Sequence, residues 1–164
     1  MSNTPRTFYA EDDADDQLLM QEAFDEVGLA DALVCVDDGQ ELLDRLRMQG
    51  ADPAGEDCGT RLIVLDLNMP RKDGRETLME IKEDRSLCHI PVVVLTTSSA
   101  DQDVAQARRL GAADFFTKPT NFADLCAIVA SLRSRWLQPA ALTPEASSSS
   151  AVDSIKFNPV RPSL

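Results

Sequence analysis

Residues 62–74 read Leu-Ile-Val-Leu-Asp-Leu-Asn-Met-Pro-Arg-Lys-Asp-Gly. Four apolar residues, then Asp66 within the run Leu62–Leu67, describe a strongly apolar strand broken only by one acid near its end. Pro70 and Gly74 mark the turn that follows, and Glu76–Glu83 reads as a helix. A strand, an acid, a turn and a helix form one βα unit, and the rest of the chain repeats the pattern. Upstream, the short strand Thr7–Ala10 runs into Glu11, Asp12 and Asp13. The helix Asp16–Val27 follows, with Leu19, Ala23 and Val27 at helical spacing and Gly28 as its stop. Leu33–Val36 is a second strand and Glu41–Met48 a second helix. The segment 51–60, with Pro53, Gly55 and Gly59, reads as a loop. Downstream come the β-branched strand Pro91–Leu95, the helix Asp101–Leu110 with Gly111 as its stop, and the strand Asp114–Thr117. Asn121 then caps a helix that carries Phe122, Leu125, Val129, Leu132 and Trp136 along one face. Five strands alternating with five helices predict an α/β fold, a doubly wound five-stranded parallel sheet covered on both faces.

In such a sheet the working site lies beyond the carboxyl ends of the strands, and there the sequence places polar residues directly after apolar runs. The first strand delivers Glu11 and Asp12, the third Asp66, the fourth Thr96, and the fifth Lys118 followed by Pro119. Three converging carboxylates repel one another, at roughly 4 kcal/mol per pair at close range in a medium of dielectric near 20. A divalent cation removes that cost. An oxygen-only ligand set without thiol or imidazole suits a hard ion such as Mg²⁺, whose usual company is phosphoryl chemistry. Asp66 is the best nucleophile of the set, because an ionised carboxylate attacks phosphorus without a general base. Lys118 and the metal would offset charge on the transferring oxygens, and Thr96 would donate a hydrogen bond to the new group.

The stretches YAEDDADD (9–16), LIVLDLNMPRKDG (62–74), VVVLTTS (92–98) and FFTKP (115–119) resemble response-regulator receiver domains of two-component systems. The likeness runs from about Thr7 to Leu137. It implies a flavodoxin-like fold and a phosphoacceptor switch rather than an enzyme. By position, Glu11 and Asp12 match the acidic pair, Asp66 the phosphoacceptor, and the backbone carbonyl of Asn68 a further metal ligand. Thr96 matches the switch hydroxyl, Lys118 the family's lysine, and Phe115 the switch aromatic. Asn68 and Ser98 match the positions that tune dephosphorylation, and Pro119 the family's cis-proline. LDLNMPRKDGRETLMEIKED (65–84) and PVVVLTTSSADQD (91–103) are further similar to the single-domain regulators paired with bacterial and cyanobacterial phytochromes. That implies a histidine kinase partner of the phytochrome type, and signalling by contact without DNA-binding output. A homodimer through the fourth-helix, fifth-strand and fifth-helix face is also implied; the tail, which departs from the family's usual short ending, is a separate segment that could reach across to a partner subunit.

Other readings stand beside these. Phe115 is as well explained by the core as by a switch, and Phe116 and Trp136 read as packing residues. Asp13, Asp15 and Asp16 read as a solvated helix start favoured by the dipole, and Arg71 and Lys72 as solvated charge. His89, the single histidine, reads as a loop residue. An aspartyl phosphatase of the haloacid-dehalogenase type carries D-x-D, and here the second position is Asn68. A scaffold that had lost phosphorylation would not need the intact set.

Composition bounds the partners. The 164 residues carry 16 Lys and Arg against 28 Asp and Glu, a net charge of −12. Nucleic-acid binding needs clustered cations and is not expected. The longest apolar run, Ile90–Leu95, is too short to span a bilayer, and residues 1–7 lack the apolar core of a signal peptide. The expected location is cytoplasmic. Cys35, Cys58, Cys88 and Cys126 form no metal-binding spacing and read as incidental thiols. Residues 1–137 are expected to form the receiver domain. Residues 138–164 hold four of the nine prolines and the run Ser147–Ser150, and are expected to be a flexible Pro/Ser-rich extension. Within it Ile155, Phe157 and Val160 read as more disordered than docked.

Overall fold

A computed structural model describes residues 6–50, 60–69, 71–97 and 100–137. The expectations for the 51–59 loop, Cys58, Pro70, Ser98 and the 138–164 extension lie outside the described residues. The elements run β1 (Arg6–Ala10), α1 (Ala14–Glu26), β2 (Leu33–Val36), α2 (Gly39–Gly50), β3 (Thr60–Leu65), α3 (Gly74–Glu83), β4 (Val92–Thr96), α4 (Asp101–Arg109), β5 (Asp114–Thr117) and α5 (Phe122–Leu132). A π-helical turn, Arg133–Leu137, closes the last helix. The sheet is parallel in the order β2-β1-β3-β4-β5, so the direction of winding reverses between β1 and β3. The doubly wound α/β fold expected from the sequence is the fold found.

Alternation along the strands divides the core. Phe8, Ala10, Ile63, Leu65 and Val92 pack with Leu42, Leu43, Leu46, Leu78 and Ile81 of α2 and α3. Tyr9, Leu62, Val64, Val93 and Leu95 pack on the other face with Met20, Ala23 and Phe24 of α1 and Leu125, Val129 and Leu132 of α5. A smaller cluster joins Leu67 and Val94 to Ala107 of α4, with Phe115 half-buried against it. Strands covered on both faces need continuous apolar runs, and each large side chain so buried contributes about 1.5–3 kcal/mol. Trp136 and Phe116 pack on the α1/α5 side as expected. Leu19 does not: it is 42% exposed, and the buried stripe of α1 is Met20, Ala23 and Phe24.

Aspartates set the starts of α1, α2 and α3. Asp13 caps α1 by accepting from the backbone N–H groups of Asp15 and Asp16. Asp73 caps α3 through Arg75, and Asp38 accepts from the N–H of Glu41 in α2 at 2.9 Å. These are ordinary N-cap bonds, about 1 kcal/mol each. The stops are Gly28 and Gly111, both at positive φ (87° and 104°). After α1, Gly28 N–H bonds Asp25 O and Leu29 N–H bonds Phe24 O. After α4, Gly111 N–H bonds Arg108 O and Ala112 N–H bonds Ala107 O. Both are Schellman endings, which need a left-handed residue after the cap.

Candidate phosphoacceptor site

The strand register brings the predicted residues to one rim. Ala10 lies opposite Leu65, and Leu65 opposite Val94. Glu11 and Asp66 therefore leave the sheet side by side, and the Asp66 N–H donates to Ala10 O at 3.1 Å. Thr96 pairs with Thr117, and the Lys118 N–H donates to Thr96 O at 2.8 Å. The strand was expected to run through Leu67. It ends at Leu65, and Asp66 and Leu67 begin the loop. Gly74 starts α3 against this loop. A Cβ there would lie 2.3 Å from Asp66 O and 2.6 Å from Leu67 Cα, so only glycine lets the helix approach so closely.

Carboxylate oxygens of Glu11, Asp12 and Asp66 all lie within 4.8 Å of one another. Glu11 and Asp66 are almost fully buried, while Asp12 is exposed. The Lys118 ammonium contacts all three of its acidic neighbours: Glu11 closely, Asp16 at 2.8 Å and Asp66 at 3.3 Å. Asp66 also accepts from the Asn68 N–H at 3.2 Å. Asn68 reaches on to Thr96, its side-chain amide donating to the fully buried Thr96 Oγ1 at 3.4 Å. Glu11 accepts from the Tyr9 hydroxyl (3.2 Å) and the Asp13 N–H (3.1 Å).

Burial pushes the Glu11 carboxyl up to about 7; the Lys118 ammonium opposes this and the Asp66 charge adds to it. Burial works to lower Lys118, but Asp16, Glu11 and Asp66 outweigh it and hold the ammonium above its ordinary range. Burial and the nearby Glu11 charge likewise raise Tyr9, which stays a phenol donor. One permanent cation among several acids leaves uncompensated negative charge. Together with an all-oxygen donor set this fits a hard divalent cation.

Glu11, Asp12, Asp66, Asn68, Thr96 and Lys118 are thus brought together as expected. Phe115 stands on β5 below this rim, half-buried against Leu67, Val94 and Ala107. Two expectations are corrected. The Lys118–Pro119 bond is trans, as are all described peptide bonds, the isomer that X–Pro bonds ordinarily prefer by about 0.5–1 kcal/mol. Arg71 is exposed, as expected of solvated charge, yet it also pairs with buried Asp38; Lys72 is only 20% exposed and pairs with Glu80. Asp16, expected as part of a solvated helix start, also contacts Lys118. Position N3 of a capped helix explains an acid without reference to any site, so only the fold reveals the second role. His89 is exposed, as expected of a loop residue. Next to Lys118 a cleft of about 230 Å³ opens between α1 and α5, lined by Leu19, Leu95, Pro119 and Phe122 among others.

This rim of acids, lysine and threonine on a 2-1-3-4-5 sheet is the arrangement of a phosphoacceptor switch. Residues 8–130 match the family model of the response regulator receiver domain, and the chain belongs to that family. The response regulator Rcp1 of the cyanobacterium Synechocystis is 38% identical over 142 residues, covering 86% of this chain and 95% of that protein. Among solved structures, the phosphorylated cyanobacterial phytochrome response regulator RcpA superposes with a TM-score of 0.71 at 38% identity, over 82% of this chain and 95% of that one. A response regulator in red light signalling of R. palustris matches with a TM-score of 0.71 at 31% identity, over 82% and 94% of the two chains. Manganese-bound Rcp1 matches at 0.69 and 37%, over 82% and 95%. Receiver domains act as phosphoacceptor switches, and histidine kinases are their partners. Among the described residues no helix is long and apolar enough to cross a membrane.

Proposed function

We propose that Asp66 takes a phosphoryl group from the phosphohistidine of a histidine kinase. The observation that carries this is the meeting of the Asp66 carboxylate with Lys118 at 3.3 Å inside a cluster of three carboxylates. A carboxylate oxygen of Asp66 attacks phosphorus; the P–N bond breaks, and its electron pair returns to the imidazole of the donor. Glu11, Asp12, Asp66 and the backbone carbonyl of Asn68 would hold Mg²⁺, whose charge offsets that of the transferring oxygens. Lys118 supplies a fixed positive charge to one phosphoryl oxygen, and Thr96 turns its hydroxyl from the Asn68 amide to another. The inward move of Thr96 opens space for Phe115, and the face of α4, β5 and α5 is reshaped by population shift. Exposed Asn68, with Ser98, sets the rate of slow self-dephosphorylation.

Partner choice follows from the relatives. Rcp1, RcpA and the R. palustris protein support a kinase of the phytochrome type, and the α4–β5–α5 face is proposed as a homodimer surface. Acetyl phosphate with Mg²⁺ should add one phosphoryl group to the wild type by intact mass, and none to Asp66→Asn or in the presence of a chelator. Equal labelling of Asp66→Asn would overturn the assignment. Phosphotransfer from a panel of kinases, with a phytochrome kinase fastest, would support the pairing; transfer only from other kinases would remove it.

A further inference from the structure

Lys118 has three N–H donors and meets three carboxylates, so the ammonium is saturated in the resting protein. It stands nearer to Asp16, at 2.8 Å, than to Asp66, at 3.3 Å. The three acids differ in how readily they release it. The Glu11 and Asp66 side chains are 2% and 6% exposed, and neither regains water on losing the lysine. The Asp16 side chain is 33% exposed and rehydrates at little cost. Asp16 comes from the first turn of α1, where its own backbone N–H is already bonded to the Asp13 cap at 3.3 Å. Its carboxylate is therefore not spent on the helix start.

We infer that Asp16 is a positioning residue that parks one Lys118 N–H on its own carboxylate in the resting protein, while another stays on Asp66, and is the partner released when the lysine turns to the phosphoryl group. The inference rests on Asp66 being the phosphoacceptor. Binding of a phosphoryl group then has to draw Lys118 off Asp16, and the apparent affinity for that group falls by the fraction of molecules in which the lysine is parked. Asp16 thereby biases the switch toward its off state, in a role separate from ligating the metal.

The test uses beryllofluoride, a phosphoryl mimic, titrated calorimetrically into the full chain with saturating Mg²⁺. Asp16→Asn should bind it about fivefold more tightly than wild type, because the parking partner is lost. Asp16→Glu keeps a carboxylate within reach and should bind within about twofold of wild type. Asp15→Asn removes an equal charge one residue earlier, on an exposed side chain, and should leave the mimic's affinity nearly unchanged. Mg²⁺ titrated alone should respond alike to Asp15→Asn and Asp16→Asn, since each removes one nearby charge and no ligand. Unchanged affinity in Asp16→Asn, or an equal gain in Asp15→Asn, would overturn the inference while leaving the proposed function standing. If the wild type bound no beryllofluoride, or Asp66→Asn bound it equally well, the assignment of Asp66 itself would fail.

Discussion

Gly74 has the backbone of Asp66 and Leu67 in the space where a side chain would go. A methyl group at 2.3 Å from Asp66 O and 2.6 Å from Leu67 Cα cannot be absorbed by a rotamer change. Gly74→Ala should cost about 2–3 kcal/mol of stability in urea unfolding, and it should cut acetyl phosphate labelling, because the loop it displaces carries Asp66. An unchanged unfolding midpoint would show that the helix start has slack. Asp38 offers a second test at this scale. Burial works to raise its carboxyl, but the Glu41 N–H and the Arg71 guanidinium outweigh it and hold it below its ordinary 3.8. A depressed carboxyl contributes stability that is present above pH 3.8 and lost as pH falls through the lower folded value. Wild type should therefore be more stable than Asp38→Asn at neutral pH, with the gap closing below pH 3.8; a gap that held constant with pH would contradict the pairing. The site residues that could be read in the sequence were those ending an apolar strand, where a lone polar group needs explaining. Glu11, Asp66, Thr96 and Lys118 all do this. Asp16 does not, and neither does the Asp38–Arg71 pair, whose members stand 33 positions apart and meet only through the fold.

Elements were legible where period and punctuation agreed. β5 was placed to the residue, and Gly28 and Gly111 stop their helices at the positive φ that glycine was expected to supply. The helices α1, α2 and α3 each begin two residues earlier than the apolar pattern suggests. Their first turns are small or polar, Ala14-Asp15, Gly39-Gln40 and Gly74-Arg75, so apolar periodicity starts late while the capping aspartate has already begun the helix. The buried stripe of α1 departs from the Leu19 periodicity because Leu18 and Leu19 are both left at the surface, 58% and 42% exposed. Leu19 of α1 and Phe122 of α5 border the cleft beside Lys118, an apolar edge that the proposed kinase donor has to pass on its way to Asp66. Leu19→Glu should slow phosphotransfer from the cognate kinase about tenfold while leaving labelling by acetyl phosphate unchanged. Equal slowing with both donors would place the effect in the site and not in docking.

Taken whole, the molecule concentrates its acidity. The tail charges Glu145, Asp153, Lys156 and Arg161 cancel, so the net −12 belongs to residues 1–137. Part of that charge is a standing cost at one rim, with Glu11 lifted to about 7 by burial. Between about pH 4.5 and 7 the folded protein holds a proton there that the unfolded chain has lost, so this group's contribution to stability declines as pH rises through that window. A divalent ion that binds only the folded form should therefore raise the melting temperature at neutral pH, and more as its concentration grows; Asp66→Asn should lose most of the rise. Light scattering on chains ending at Leu137 and at Leu164 should report whether the proposed pairing needs the tail, and equal masses would exclude the tail from it. The central claim is that the parts of the chain meeting at this rim make Asp66, and no other acid, the acceptor. Borohydride reduction after acetyl phosphate treatment converts a phosphorylated aspartate to homoserine, which peptide sequencing by mass then locates. The account predicts homoserine at position 66 alone; homoserine at position 12, 13 or 16, or at none, would contradict it.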